Sequence, residues 1–168
     1  QTCALPISRI DYSTGAKAFL LEPQSTNLIT YSEDFSNWSI INSTTSSNQS
    51  ISPDGTLNAD EITDSSGTYG NVASNSTSFS SADYTASIFI KKKQTTTAYL
   101  GVEVAGNGKY LTFNSVNGDI KHIGTDVFTN KKVISFNSDW WHLSFNVNTP
   151  LTTTRAIRIF PSISINGS

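Results

Sequence analysis

Apolar and polar residues alternate with a period of two along much of this chain, and this pattern limits the fold more than any other feature. In the segment 84–91, one side of an extended strand would carry the apolar set Tyr84, Ala86, Ile88 and Ile90. The opposite side would carry Thr85, Ser87, Phe89 and Lys91. The segment that begins at Trp140 divides in the same way, with an apolar side made of Trp141, Leu143, Phe145 and Val147. A period of two predicts half-buried strands rather than helices.

Similar patterns recur along the chain, separated by stretches rich in Ser, Thr, Asn and Gly. They predict strands at 18–22, 69–72, 84–91, 98–104, 109–114, 132–136, 140–148 and 155–163. Short helical turns are predicted only near 34–38 or 58–62, the polar segment 41–51 is interpreted as a surface strand or loop, and Asn117-Gly118 is a hairpin turn signal. Many short strands without crossover helices predict an all-β fold, an antiparallel β-sandwich of the jelly-roll type. A length of 168 residues suits one such domain.

Composition excludes two classes of partner. Charged residues make up 14% of the chain and the formal net charge is -2, so the basic surface needed for nucleic acid is missing from the sequence. No apolar run approaches the roughly 20 residues that span a bilayer, so no membrane insertion is expected. One cysteine, Cys3, excludes an internal disulfide framework.

Five segments spread over nearly all of the chain carry an ordered set of motifs. The first, residues 19–38, passes from Phe19-Leu-Leu-Glu-Pro23 to the aromatic pair Phe35 and Trp38, and the others are residues 52–63, 84–91, 139–145 and 157–161. In this order they resemble a β-sandwich domain of bacteriophage tail, fibre and other virion proteins. The resemblance implies a concanavalin A-like or carbohydrate-binding-module-like jelly roll. It includes no catalytic signature.

The two ends of the chain carry a separate signal. Gln1-Thr-Cys-Ala-Leu-Pro-Ile7 matches the translation of a common short-read sequencing adapter, so residues 1–7 are expected to be an artefact of environmental sequencing. Residues 8–168 then form a single β-sandwich domain. The adapter implies that the true N-terminus of the domain lies upstream, and the resemblance implies one more strand after the Ile157 region, so the domain is expected to be truncated at both ends. A missing last strand would leave a sheet edge open to pairing with another chain.

The second sides of several strands supply a candidate binding face, if these strands are neighbours in one sheet. Aromatic, cationic and acidic side chains would then lie together, and the set is Phe89, Lys91, Tyr99, Glu103, Trp140, His142, Arg158 and Phe160. Aromatic planes stack on the C–H groups of pyranose rings, while charged groups bind hydroxyl or acidic substituents. This mixture predicts a polysaccharide or cell-surface glycan as ligand. The alternative is that a loop or a partner subunit covers the same side chains.

Acidic residues near one turn raise the question of a metal. Asp54, Asp60 and Asp64 lie close in sequence, and jelly-roll carbohydrate modules often hold a structural calcium through oxygen ligands in such loops. The spacing does not match an EF-hand loop. Solvated turn and capping residues are the alternative interpretation, and no cofactor is expected to be required.

Catalytic interpretations find little support in the sequence. A glycoside hydrolase needs two carboxylates about 5–10 Å apart, and Glu103 is the only acid on the candidate face. Serine, histidine and aspartate occur without a nucleophile-elbow motif. A polysaccharide lyase could use Tyr99, His142, Lys91 and Arg158, although it would need more basic groups to neutralise a uronate. The protein is therefore expected not to be an enzyme.

These expectations combine into one hypothesis and one competitor. The hypothesis is a lectin-like, non-catalytic domain of a phage virion or tail fibre that binds a cell-surface or environmental polysaccharide, in a virion or extracellular location. The competitor is a virion structural or decoration domain that contacts other virion proteins or copies of itself as a homo-oligomer. Fold resemblance does not choose between them, because one sandwich supports many functions.

Overall fold

The computed structural model describes residues 9–11, 18–20, 27–65, 70–73, 77–78, 84–93, 99–104, 109–147 and 154–163, and these residues are almost entirely strands and turns. The suspected adapter, residues 1–7, and the segment 164–168 lie outside the described residues. In chain order the elements are β1 (Arg9–Asp11), β2 (Ala18–Leu20), the 3₁₀ turn η1 (Phe35–Asn37), β3 (Ser39–Ile41), β4 (Ser43–Ile51), β5 (Leu57–Asp64), β6 (Asn71–Ala73), β7 (Thr77–Ser78), β8 (Tyr84–Lys91), β9 (Tyr99–Val104), β10 (Tyr110–Asn114), β11 (Ile120–Ile123), β12 (Phe128–Ser135), β13 (Trp140–Val147), β14 (Thr154–Arg155) and β15 (Ile157–Ile163).

The main strands form two antiparallel sheets. The six-stranded sheet has the order β11-β10-β9-β15-β6-β3, and the three-stranded sheet has the order β12-β13-β8. Three two-stranded pairs, β1-β2, β4-β5 and β7-β14, complete the described strands. Every pairing between described strands is antiparallel. The predicted all-β, antiparallel fold is therefore confirmed.

The hydrophobic core lies between these two sheets. Leu143 and Phe145 of β13 pack in one cluster with Leu111 and Phe113 of β10, and all four are almost completely buried. Each fully buried side chain of this size contributes about 1.5–3 kcal/mol to stability through removal of apolar surface from water. The inward sides that alternation predicts for β8 and β13 are the sides that face this core. Two sheets with a shared apolar interior are a β-sandwich, as predicted.

A second cluster places the β4-β5 hairpin against the same interior. Trp38 and Ile159 are buried together, and Ile62 of β5 and Ile88 of β8 pack against them. The Trp38 indole N–H donates to the Tyr31 carbonyl at 2.9 Å. Through Ile62, the hairpin therefore packs against the cluster that Trp38 and Ile159 form.

Two of the predicted turns are present in the structure, and one is not. The predicted helical turn near 34–38 is η1, which the Asp34 carboxylate caps by accepting from the Ser36 N–H at 3.1 Å. The alternative turn near 58–62 is wrong, because those residues belong to β5. The predicted Asn117-Gly118 turn is confirmed: Gly118 has a φ of 83°, and its N–H donates to the Asn114 carbonyl at 2.8 Å. The segment 41–51 is mostly β4.

Candidate functional site

The eight residues predicted for one binding face lie on opposite sides of the sandwich. β8 pairs with β13 and β9 pairs with β15, but these two pairs belong to different sheets. The outer side of the three-stranded sheet carries Phe89, Lys91, Trp140 and His142, and the outer side of the six-stranded sheet carries Tyr99, Glu103, Arg158 and Phe160. The condition that these strands are neighbours in one sheet is therefore not met, and the eight side chains are not brought together.

On the six-stranded sheet, the predicted acid and cation bind each other. Register places Glu103 between Tyr110 of β10 and Arg158 of β15. Arg158 Nη1 donates to Glu103 Oε2 at 3.0 Å, and the Glu103 side chain is 2% exposed against 40% for Arg158. Burial of Tyr110 raises the pKa of its hydroxyl above the usual value, the charge of Glu103 raises it further, and the charge of Arg158 lowers it. The charge of Glu103 is therefore compensated by that of Arg158 within the sheet.

The aromatic residues of this outer side also contact other side chains of the protein. Phe160 is only 6% exposed, and its ring meets that of Tyr110 edge to face with 5.2 Å between centroids. Tyr99 is half-buried, and Lys121 Nζ lies 5.6 Å from the centroid of its ring. Phe160 and Glu103 therefore offer almost no surface to a ligand. We call the outer side of the six-stranded sheet the covered face.

The outer side of the three-stranded sheet is different. The register of its strands builds rows of side chains, and one row consists of Ile134, His142 and Phe89. Phe89 is 42% exposed, and its ring lies 4.7 Å from that of His142 and 5.3 Å from that of Phe136. Phe136 is itself 50% exposed. We call these four residues (Phe89, Ile134, Phe136 and His142) the aromatic patch, and the outer side of this sheet the open face.

Trp140 lies on the same side of β13 as His142, but its side chain is buried. It occupies the middle strand opposite Lys91 of β8, while the Phe136 N–H donates to the Trp140 carbonyl at 3.0 Å. Its side chain is only 7% exposed. Alternation assigns Trp140 to the correct side of β13, but neighbours on that side leave little of its surface open. Trp140 therefore presents almost no ring surface to solvent.

Phe136 and Ile134 are site residues that sequence reasoning missed. The strand 132–136 was predicted, but its two sides were not assigned. Val133 pairs with Leu143 and packs on the core, so alternation places Ile134 of β12 on the outer side, and Phe136, directly after the end of β12, continues that side. The same period-two argument, applied to this strand, would have found both residues.

Polar side chains continue the open face beyond the aromatic patch. The next row consists of Lys132, Ser144 and Ser87, and the row after it contains Asn146 and Thr85. Thr85 Oγ1 lies 3.1 Å from Asn146 Oδ1. At the opposite end of the face, Lys91 Nζ donates to Ser50 Oγ of the β4-β5 hairpin at 2.8 Å. The open face thus combines exposed rings with hydroxyl, amide and ammonium groups.

Two of the three acids predicted to bind calcium, Asp54 and Asp60, accept hydrogen bonds from neighbouring groups. The Asp54 carboxylate accepts from the hydroxyl of Ser52 and from the hydroxyl and N–H of Thr56, which lowers its pKa to about 2. Asp60 accepts from the N–H groups of Phe35 and Asn48, at 2.9 and 3.1 Å. Over the described ranges, no group of three or more His, Cys, Asp or Glu side chains could hold a metal. Asp54, Asp60 and Asp64 are not brought together, and the calcium hypothesis stays a prediction without support from their positions.

The four residues considered for a lyase are divided in the same way as the binding set. Lys91 and His142 lie on the open face, whereas Tyr99 and Arg158 lie on the covered face. One substrate on one face cannot contact all four. The lyase interpretation therefore loses the constellation on which it was based.

Comparisons with known proteins add no family assignment. No family model matches the chain, and no curated protein matches it. Within the described part of the chain, no helix is both long enough and apolar enough to cross a membrane.

Proposed function

We propose that this protein is a non-catalytic, lectin-like β-sandwich domain whose open face binds a cell-surface or environmental polysaccharide. One observation carries the proposal: Phe89 of β8 and Phe136, the residue that follows β12, are both about half exposed, and their ring centroids lie 5.3 Å apart. Exposed aromatic side chains in contact with each other mark an interaction surface more strongly than scattered single residues do.

The chemistry of the open face suits a sugar. The rings of Phe89, Phe136 and His142 offer apolar planes for the C–H groups of a pyranose. Ser87, Ser144, Thr85 and Asn146 lie in the adjoining rows, where their hydroxyl and amide groups can exchange hydrogen bonds with sugar hydroxyls. A glycan needs both kinds of contact, because its rings are apolar above and below and polar around the edge.

The rigidity of the patch adds to the proposal. Phe89 and His142 face each other across paired strands, and Phe136 is fixed by the backbone hydrogen bond to Trp140. A ligand would therefore order few side chains when it binds, which lowers the entropic cost of association. The face lies on a sheet rather than in a deep pocket, so each site should bind weakly. Display of several copies on a phage virion or tail fibre, which we propose as the location, would strengthen binding through multivalency.

A protein-binding role is the second candidate, and a specific observation favours it. Ile134 exposes an aliphatic side chain within the patch, and further large apolar side chains are exposed at Ile40, Ile41, Ile51 and Leu57. Aliphatic surface of this kind is typical of contacts between proteins. Under this alternative the same face would contact another virion protein or a second copy of the chain.

Affinity electrophoresis against a panel of soluble polysaccharides tests the proposal. We expect at least one polysaccharide to retard the wild type, and Phe89→Ala and Phe136→Ala each to lose most of that retardation. The matched control is Tyr31→Asn, which removes a ring that is 55% exposed outside the open face. Asparagine tolerates the positive φ of 56° at that position.

Each outcome decides between the candidates. Retardation that persists in both Phe variants would place binding elsewhere and overturn the proposal. Uniform mobility across the panel, together with a wild-type protein that self-associates and a Phe136→Ala variant that is monomeric, would establish the protein-binding role. Size-exclusion chromatography with light scattering measures the oligomeric state of the wild type and of Phe136→Ala.

A further inference from the structure

The charged side chains in the paired rows of the open face all have one sign. Its registered rows contain Lys91 at one end and Lys132 on the far side of the aromatic patch, with no carboxylate among them. The chain as a whole has a formal net charge of -2, so this concentration of cations is a local feature. We infer that the ligand of the open face is an acidic polysaccharide, bearing carboxylate or sulfate groups, and that Lys91 and Lys132 bind those groups. This inference rests on the proposed function.

Lys91 is placed to reach a substituent of a sugar that lies on Phe89. The two residues share one side of β8, two positions apart, so their Cα atoms are roughly 6–7 Å from each other along the strand. The bond from Lys91 Nζ to Ser50 Oγ holds the ammonium group at this end of the face. A lysine ammonium has three donors, and this bond uses one of them. The others can bind an anionic oxygen.

Lys132 occupies the corresponding position beyond the patch. Its row lies directly next to the row of Ile134, His142 and Phe89, and its side chain is exposed. In the described ranges, neither Lys132 nor Lys91 forms a salt bridge with a carboxylate. A ligand with regularly spaced negative charges could therefore contact the aromatic patch between two cations.

Neighbouring lysines have other roles, which makes the assignment specific. Lys131 Nζ binds the Asp126 carboxylate. Lys92 Nζ lies 4.5 Å from the centroid of the Trp141 ring and donates to Ser135 Oγ at 2.7 Å. The ammonium groups of Lys131 and Lys92 thus contact a carboxylate and an aromatic ring of the protein, whereas that of Lys91 donates to the Ser50 hydroxyl.

One carboxylate, that of Asp139, lies near Lys91 at the end of the open face and opposes the binding of an anion there. Asp139 lines a shallow cleft together with Lys91, Lys92 and Lys93, and its Oδ1 accepts from the Ser138 hydroxyl at 3.0 Å. Three cations around one acid leave the cleft with a positive balance. An anionic substituent is therefore attracted to this end of the face despite Asp139.

Matched pairs of polysaccharides test the inference. Polygalacturonate, alginate and hyaluronan would each be compared with the carboxyl-reduced polymer, and chondroitin sulfate with its desulfated form, by affinity electrophoresis and calorimetry. We expect the wild type to prefer the acidic member of at least one pair. Lys91→Gln and Lys132→Gln should each weaken that binding roughly three- to tenfold, because a charge-assisted bond at an exposed site is lost.

Lys121→Gln is the control, since it makes the same change in net charge on β11 of the six-stranded sheet and should leave binding unchanged. Raising the salt concentration from about 0.05 to 0.5 M should weaken binding of the acidic polymers through screening. Equal binding of acidic and neutral members, lost in Phe89→Ala but unchanged in both lysine variants, would overturn this inference and leave the proposed function intact. Absence of binding to every polymer would overturn both.

Discussion

The covered face and the open face are built from similar residues and differ in what solvent can reach. Phe160 on the covered face is 6% exposed, whereas Phe89 on the open face is 42% exposed. Both are phenylalanines on the outer sides of paired strands, and both contact other rings. A side chain that points away from the core is therefore not necessarily a side chain that can bind a ligand.

Charges separate the two faces in the same way. On the covered face, Glu103 and Arg158 neutralise each other at 3.0 Å. On the open face, Lys91 and Lys132 have no carboxylate in their rows. The charges of the covered face thus pair within the sheet, whereas those of the open face have no carboxylate partner in their rows.

Truncation of Phe160 and of Phe89 should give the largest difference in stability between the two faces. Phe160→Ala should destabilise the fold by about 3–5 kcal/mol, because it leaves a cavity beside Tyr110 and Gly101. Phe89→Ala should change stability by no more than about 1 kcal/mol, since the ring is already partly in water. Urea unfolding, with the midpoint and slope fitted for each variant, measures both values.

Two results of the unfolding measurements would contradict the difference between the open face and the covered face. A loss of several kcal/mol in Phe89→Ala would mean that the patch is a structural cluster rather than a binding surface. A Phe160→Ala variant as stable as the wild type would mean that the covered face is open in solution. Either result would remove the distinction between the faces.

The Glu103–Arg158 pair gives an intermediate effect. Glu103→Gln keeps the shape of the side chain but removes the charge that Arg158 binds, so we expect a loss of about 1–3 kcal/mol. The exposed pair of Lys131 and Asp126 is the reference, and Lys131→Gln should cost less than about 1 kcal/mol. A double-mutant cycle between Glu103→Gln and Arg158→Gln measures the coupling. Equal losses at both pairs would contradict the view that the covered face excludes water.

The sequence predicts which side of a strand faces the core better than it predicts which strands lie next to each other in a sheet. Alternation correctly places Ile88, Leu143 and Phe145 toward the core, because side-chain direction is a local property of an extended backbone. Whether β8 lies beside β13 or β9 depends on contacts between distant segments, which a period of two does not contain. The predicted binding set joined strands of different sheets for this reason.

Strands without apolar alternation or with a break were harder to predict. The first half of β12 was missed because its register shifts between Thr129 and Lys132, and Asn130 within that shift has a φ of 50°. Such a bulge interrupts alternation. β4 is mostly Ser and Thr, so its sequence looks like a loop although it pairs with β5 over most of its length. Exposure was not predictable either, because it depends on the neighbours that cover each side.

The turn between β4 and β5 tests whether an exposed charge away from both faces affects stability, and its effect should be the smallest. The Asp54 pKa is lowered from 3.8 to about 2, mainly by the Ser52 hydroxyl and then by Thr56. A carboxyl group with a lower pKa in the folded state stabilises the fold above its unfolded pKa, and this contribution disappears as the pH falls toward the folded value. Asp54→Asn should therefore be less stable than the wild type at neutral pH, and the difference should shrink between about pH 4 and pH 2. Urea midpoints of both proteins across this range measure it. A difference that stays constant down to pH 2 would show that the Asp54 charge is not what stabilises the turn.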